Sequence, residues 1–182
     1  MIIKLSNTRL SFPHLFTAQQ SDLGGTPKFG ATFLFAAGSD NEQVMLEAIE
    51  AVGKEKWAAK WPGIKKQLTA GLKICLKDGD LKSQYEGYEG NLFVAASGTK
   101  RPVVNDRDLT PLVESDGRPY GGCYVNAWVD VWPMDNKFGL RVCATLLGVQ
   151  FVRDGDAFSA GSSLPKNAMV AMTAEDDIDD LV

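Results

Sequence analysis

Histidine is almost absent from this chain, cysteine is sparse, and long apolar runs are missing altogether. The single histidine, His14, follows Phe12-Pro13, and no G-x-S-x-G elbow, Walker lysine motif or dinucleotide glycine fingerprint occurs. The usual parts of a hydrolase, a nucleotide-driven enzyme or a dehydrogenase are therefore lacking, and no enzymatic activity is expected. Three cysteines, Cys75, Cys123 and Cys143, are odd in number and far apart. They fit neither a metal-ligand spacing nor a disulfide framework, so no metal and no cofactor are expected. Asp78-Gly79-Asp80 and Asp154-Gly155-Asp156 pair their carboxylates across tight turns, and neither continues into a calcium loop. No apolar stretch approaches the ~20 residues needed to cross a bilayer, which argues against a membrane role. Met1 to Asn7 lacks the basic start and long apolar stretch of a secretion signal, so the expected location is cytoplasmic.

What the chain does have is charge, and it is unevenly placed. Its 19 basic and 23 acidic residues give a formal net charge of −4 over 182 residues. Five of the carboxylates, Glu175, Asp176, Asp177, Asp179 and Asp180, fall within six positions near the C-terminus, followed only by Leu181 and Val182. Residues 1–174 alone carry all 19 bases and 18 acids, a net of +1. A run of like charge repels itself and buries little apolar surface, so a disordered tail is expected over 161–182 behind a folded domain at 1–160. A near-neutral body tethered to a polyanion suggests that the body binds a polyanion. The tail would be its competitor or a hook for partner proteins; a tail for solubility is the plainer alternative.

The folded part reads as mainly β. Leu5–Phe12 is a strand closed by Pro13, and Lys28–Phe35 is a second, with Phe29, Ala31, Phe33 and Phe35 on one face. Ser39 and Glu42 have capping-box spacing, and Met45, Leu46, Ile49, Val52 and Trp57 recur at helical intervals. One amphipathic helix is expected over about 41–60, ended by Pro62-Gly63. Shorter strands follow at Leu72–Leu76 and Asn91–Ser97, a loop at Thr110–Gly122, and two long strands at Cys123–Trp132 and Leu140–Val152. Five or more short strands with one early helix point to a small β-barrel rather than a parallel α/β sheet.

The Cys123–Trp132 strand carries the sharpest chemical signal. Cys123, Val125, Ala127, Val129 and Val131 form a complete apolar face, so period two sends Tyr124, Asn126, Trp128, Asp130 and Trp132 to the other. Two polar side chains on that second face argue that it is wet, and aromatics on a wet sheet face make a platform for stacking bases. The alternative is that the helix or a loop covers Trp128 and Trp132. Arg141 on the next strand would flank the row. Lys28, Lys100 and Arg101 are further phosphate candidates, with Lys4, Arg9, Lys73 and Lys77 behind them. Tyr85 and Tyr88, in a glycine-containing loop, are either stacking residues or anchors that pack the loop down.

Several ordered segments also carry a resemblance. Arg9-Leu10-Ser11-Phe12, Pro27-Lys28-Phe29-Gly30-Ala31-Thr32, Lys77-Asp78-Gly79-Asp80, Lys100-Arg101-Pro102, Tyr120-Gly121-Gly122-Cys123-Tyr124 and Leu147 to Gly155 resemble the tailed-phage single-stranded DNA-binding proteins, relatives of the podovirus-type binders. The resemblance covers roughly residues 4–160. It implies an antiparallel five-stranded OB-fold barrel that binds single-stranded DNA with little sequence preference, in phage replication, recombination or repair. It also implies an acidic tail that contacts replication or recombination proteins. Such tails often finish on an aromatic residue, whereas this one finishes on Leu181-Val182. Self-association as a homodimer stays open, and so does a second reading, a protein-interaction adaptor that binds no nucleic acid.

Overall fold

The computed structural model describes residues 1–21 and 24–158. The acidic tail expected at 161–182, with Glu175 to Val182, lies outside the described residues. Among the described residues, seven strands form one sheet: β1 (Ile2–Gln19), β2 (Lys28–Ala36), β3 (Leu76–Asp78), β4 (Asn91–Gly98), β5 (Val103–Asn105), β6 (Tyr124–Asn136) and β7 (Gly139–Arg153). Their order is β3-β4-β2-β1-β6-β7-β5, antiparallel except where β5 lies parallel to β7. The expected antiparallel five-stranded barrel corresponds to β1, β2, β4, β6 and β7. The two three-residue strands extend its edges. β4 and β7 approach each other without a ladder: a Cβ on Gly98 would lie 3.2 Å from Thr145 Cγ2. Beside them, the Val142 N–H donates to the Lys73 carbonyl at 3.0 Å and Ile74 bridges Val142, which curls the sheet into a barrel.

β1 runs well past Pro13, where the sequence pattern breaks off. Asn7 and Phe12 adopt positive φ (50° and 46°), and the ladders shift register between Leu5 and Thr8 and between Ser11 and His14. Bulges of this kind bend a strand, and Pro13 falls at one, where its missing N–H breaks no bond. β2 is buried on both faces from Ala31 to Phe35, not on one as its alternation suggested. The reason is a second small cluster, Leu34, Tyr88 and Phe93, that packs with Phe158 outside the barrel.

The helical segment comprises α1 (Asp40–Trp57) and α2 (Trp61–Ala70). Met45, Ala48, Ile49, Val52 and Trp57 of α1 join the barrel core. The Glu42 carboxylate accepts from the Gly38 N–H, but the Ser39 hydroxyl donates to the Ala36 carbonyl at 2.6 Å and caps no helical N–H, so the box that the spacing suggested does not form. Pro62, expected to end the helix, sits in the first turn of α2, where a proline costs no hydrogen bond. Trp57 stacks on Trp61 with centroids 5.5 Å apart, and Gly53 is what admits that ring: a Cβ there would lie 2.3 Å from it. α1 thus packs on the inner side of β6, and α2 packs on α1 and β7.

Candidate nucleic-acid interface

The alternation in β6 is complete. Val125, Ala127, Val129 and Val131 are fully buried, Tyr124, Asn126, Trp128 and Asp130 are half-buried, and Trp132 is 38% exposed. Neighbouring strands align their own outward residues with this row. Trp128 lies between Lys4 on β1 and Gly148 on β7, Tyr124 between Arg9 and Arg153, and Trp132 opposite Cys143. The row is thereby edged with positive charge. Lys4 Nζ stands 5.5 Å from the Trp128 ring centroid, and the Arg153 guanidinium stacks 3.6 Å from that of Tyr124. The carboxylate in the row, Asp130, is paired with the Met1 amino group at 2.7 Å. At ~3.4 Å per residue, Tyr124 to Trp132 spans about 27 Å of outer surface.

One end of that row opens into a groove of about 630 Å³ over the gap between β4 and β7. Lys28, Lys73, Lys77 and Arg141 line it together with Trp132 and Phe138, and no carboxylate is among its described lining residues. Burial first, and then the nearby Lys82 and Arg141, hold the Lys77 ammonium below the ordinary lysine range. Two thiols sit in the wall. Burial pushes Cys75 up to about 12 and raises Cys143 as well, so both stay neutral and leave the positive field undiminished. The Trp132 indole N–H donates to the Thr145 hydroxyl at 2.9 Å, which fixes the ring at the groove wall. Phe138, at the tip of the β6–β7 hairpin, is 76% exposed with Lys137 Nζ 5.1 Å from its centroid. Flat rings beside converging cations can hold an unpaired base by its face and its phosphate by charge.

Lys28, Trp132 and Arg141, expected from the sequence, are brought together here, with Lys73 and Lys77. Lys100 and Arg101 follow Thr99, which lines the groove, and are exposed in the loop beyond it, Arg101 lying 5.6 Å over Phe16. Trp128 and Tyr124 continue the row away from the groove. Tyr85 is elsewhere, edge-on to Phe12 at 5.0 Å beside an apolar hollow of about 850 Å³ that also holds Pro13, Tyr120 and Phe158. Tyr88 requires correction as a stacking candidate: it is fully buried, its hydroxyl donating to Ser11 Oγ at 3.2 Å, and it anchors the loop. Phe138 was missed. A single aromatic in the hairpin Asn136-Lys137-Phe138-Gly139 has no periodic neighbour to mark it, although an apolar ring in so polar a turn is itself a signal.

The family described as the Enterobacter phage Enc34 ssDNA-binding protein matches residues 1–181. The chain belongs to this family. A curated relative, putative protein p50 of Acyrthosiphon pisum secondary endosymbiont phage 1, is 46% identical over 166 residues, covering 88% of each chain. Among solved structures, the single-stranded DNA-binding protein from bacteriophage Enc34 in complex with ssDNA superimposes with a TM-score of 0.75 at 30% identity, over 87% of this chain and 89% of that one. The single-stranded DNA-binding protein gp2.5 encoded by bacteriophage T7 shares the fold, with a TM-score of 0.62 at 13% identity over 91% and 98% of the two chains. The barrel with its inserted helical segment is thus an architecture of phage single-stranded DNA-binding proteins.

Proposed function

We propose that this chain binds single-stranded DNA without strong sequence preference and serves phage replication, with recombination and repair as further uses, in the host cell cytoplasm. One observation carries the reading: Trp132, Phe138 and four cations share one groove in a chain of the Enc34 family. Bases would stack on Trp132 and Phe138 and, further along β6, on Trp128 and Tyr124. Lys28, Lys73, Lys77 and Arg141 would neutralise phosphates, with Lys100 and Arg101 at the groove's outer end. Stacking accepts any base, since each has a π face, which accounts for binding without a sequence code. Residues 1–160 would carry the DNA. The acidic tail would recruit replication or recombination proteins and compete with DNA for the body.

Fluorescence anisotropy with single-stranded and duplex oligonucleotides of equal length tests this. The single strand should bind well above duplex, because duplex bases are already stacked. Log K should fall with log salt by about 0.7 per phosphate neutralised, hence by about 3 if all four groove cations engage. Equal affinity for both forms, or indifference to salt, refutes the groove; no binding to either favours the adaptor.

A further inference from the structure

The line of rings on the outer face of β6 leads past Tyr124 to a second set. Leu34 of β2, Arg9 of β1, Tyr124 of β6 and Arg153 of β7 stand directly opposite one another, in one line across four strands. Directly opposite residues of antiparallel strands present their side chains to the same face. Phe158 lies beside that line: it packs with Leu34, and the Arg9 guanidinium is 4.2 Å from its ring centroid. The same ring is a wall of the apolar hollow of about 850 Å³ that Phe12, Tyr85 and Tyr120 also line. One guanidinium therefore separates the end of the β6 row from the rings of the hollow.

Local contacts build this hollow and hold its walls apart. Gly87 makes room for Phe158, since a Cβ on it would lie 2.7 Å from the ring, and the Phe158 N–H donates to the Gly121 carbonyl at 2.9 Å. The Tyr120 hydroxyl donates to Asp154 Oδ1 at 2.8 Å, which fixes a further wall. The β1 bulge between Ser11 and His14 turns Phe12 outward, edge-on to Tyr85 with centroids 5.0 Å apart. Phe12 is 50% exposed and Tyr85 42%, although rings of this size are ordinarily mostly buried. Two large rings thus stand in water over one hollow, whose size is that of a small-molecule pocket.

The chemistry of the lining selects the ligand. Among the described lining residues there is no lysine or arginine, and Glu86 is present, so the hollow offers nothing to a phosphate and suits an uncharged flat group. Leucine, isoleucine, valine and methionine are absent from that lining as well, which sets it apart from a site for an apolar peptide. Positive charge stands at the rim instead. Arg9 donates from Nε to the Gly122 carbonyl at 3.2 Å and from Nη2 to the Asp156 carbonyl at 2.8 Å. Neither acceptor is a carboxylate, so these bonds orient the guanidinium without cancelling its charge, and donors of its planar fork are left over. Arg153 is exposed beside Tyr124. We propose that the hollow takes an unstacked base of the bound DNA strand, against Phe12 and Tyr85, while Arg9 and Arg153 hold the phosphates that join it to the bases on β6. This rests on the DNA-binding reading and extends it: the strand turns off β6 at Tyr124 and crosses β1, so the footprint is longer than the groove and the row together.

Oligothymidylates of increasing length, titrated by anisotropy against the full-length protein and its Tyr85→Ala variant, test this. Short oligonucleotides that occupy the groove and the β6 row should bind both proteins alike. Beyond the length that reaches the hollow, the unaltered protein should tighten and the variant should fall behind by about 5- to 150-fold, the worth of one stacked base. Tyr85→Phe keeps the ring and should match the unaltered protein. Tyr85→Leu keeps apolar bulk without a π face and should behave as Tyr85→Ala. Phe12→Asn suits the positive φ of that position, 46°, and should show the same length-dependent loss, with thermal melts confirming that each variant is folded. Equal binding by Tyr85→Ala and the unaltered protein at every length would overturn the proposal, as would a loss of equal size at all lengths. Tyr85→Leu binding as tightly as the unaltered protein would make the hollow a general apolar contact and overturn it too. Failure of every oligonucleotide to bind the unaltered protein would overturn the DNA-binding reading itself, and this inference with it.

Discussion

Replacing Trp132 by alanine separates a stacking surface from a core residue, because the two roles predict opposite measurements. A tryptophan in a packed interior costs about 3–5 kcal/mol of stability when truncated. Trp132 is 38% exposed, lies on the outer face of β6 and belongs to neither apolar cluster. Its interaction with the described body is a hydrogen bond to Thr145 and partial cover, so Trp132→Ala should cost only about 1 kcal/mol in the folded protein. Loss of one stacked base should weaken DNA binding by about 1–3 kcal/mol, roughly 5- to 150-fold in affinity. Trp132→Phe keeps a π face and should recover much of the loss. Anisotropy titrations with a labelled single strand, run beside thermal melts, read both quantities. A collapsed melting transition with unchanged affinity per folded molecule would refute the reasoning, and with it the role of the β6 outer face.

Other changes give distinct signatures. Phe138→Ala should weaken DNA binding by about 1–3 kcal/mol with no shift in melting temperature, since the ring is 76% exposed; a titration and a melt suffice. Tyr88→Ala should do the reverse, costing about 3–5 kcal/mol in denaturant unfolding while the surviving folded fraction binds DNA normally. The Lys65 ammonium, bonded to Glu50, and Lys54 beside it hold that carboxyl at about 2, below its ordinary 4.5. A depressed folded pKa stabilises above the unfolded value and is lost as pH falls through the folded one. Melting temperature should therefore decline from about pH 4.5 toward 2, and Glu50→Gln should flatten that part of the profile. Deleting residues 175–182 should strengthen DNA binding at low salt, because a tethered polyanion presents a high effective concentration to the body. The gain should shrink as salt shortens the Debye length, and identical affinities at every salt concentration would count against competition.

Much of the site was legible before any fold was known, for a geometric reason. Period two in Cys123–Trp132 sorts residues onto two faces without reference to anything distant, so Tyr124, Trp128 and Trp132 could be placed outward from the sequence alone. The same logic failed on β2, because a second cluster built from Tyr88 and Phe93, more than fifty residues downstream, buries its other face. Pro13 and Pro62 misled for a related reason. A proline breaks a pattern locally, but a bulge or a new helical turn absorbs it, and only the ladder register shows which. The groove itself was not legible, since it assembles Lys28, Lys73, Lys77, Trp132 and Arg141 from four separate stretches across the β4–β7 gap.

That gap gives the cationic groove an unusual mechanical position. Elsewhere each long strand is laced to its neighbours by backbone hydrogen bonds, but β4 and β7 are held by contact at Gly98 and Thr145 and by the Lys73–Val142 bond beside them. Lys28 and Lys77 stand on one bank of this seam, Trp132 and Arg141 on the other. A strand of nucleic acid lying there would bridge the two banks and act as a suture across the barrel's least fastened line. Loading there would add, along that one line, the fastening that backbone hydrogen bonds supply everywhere else in the barrel.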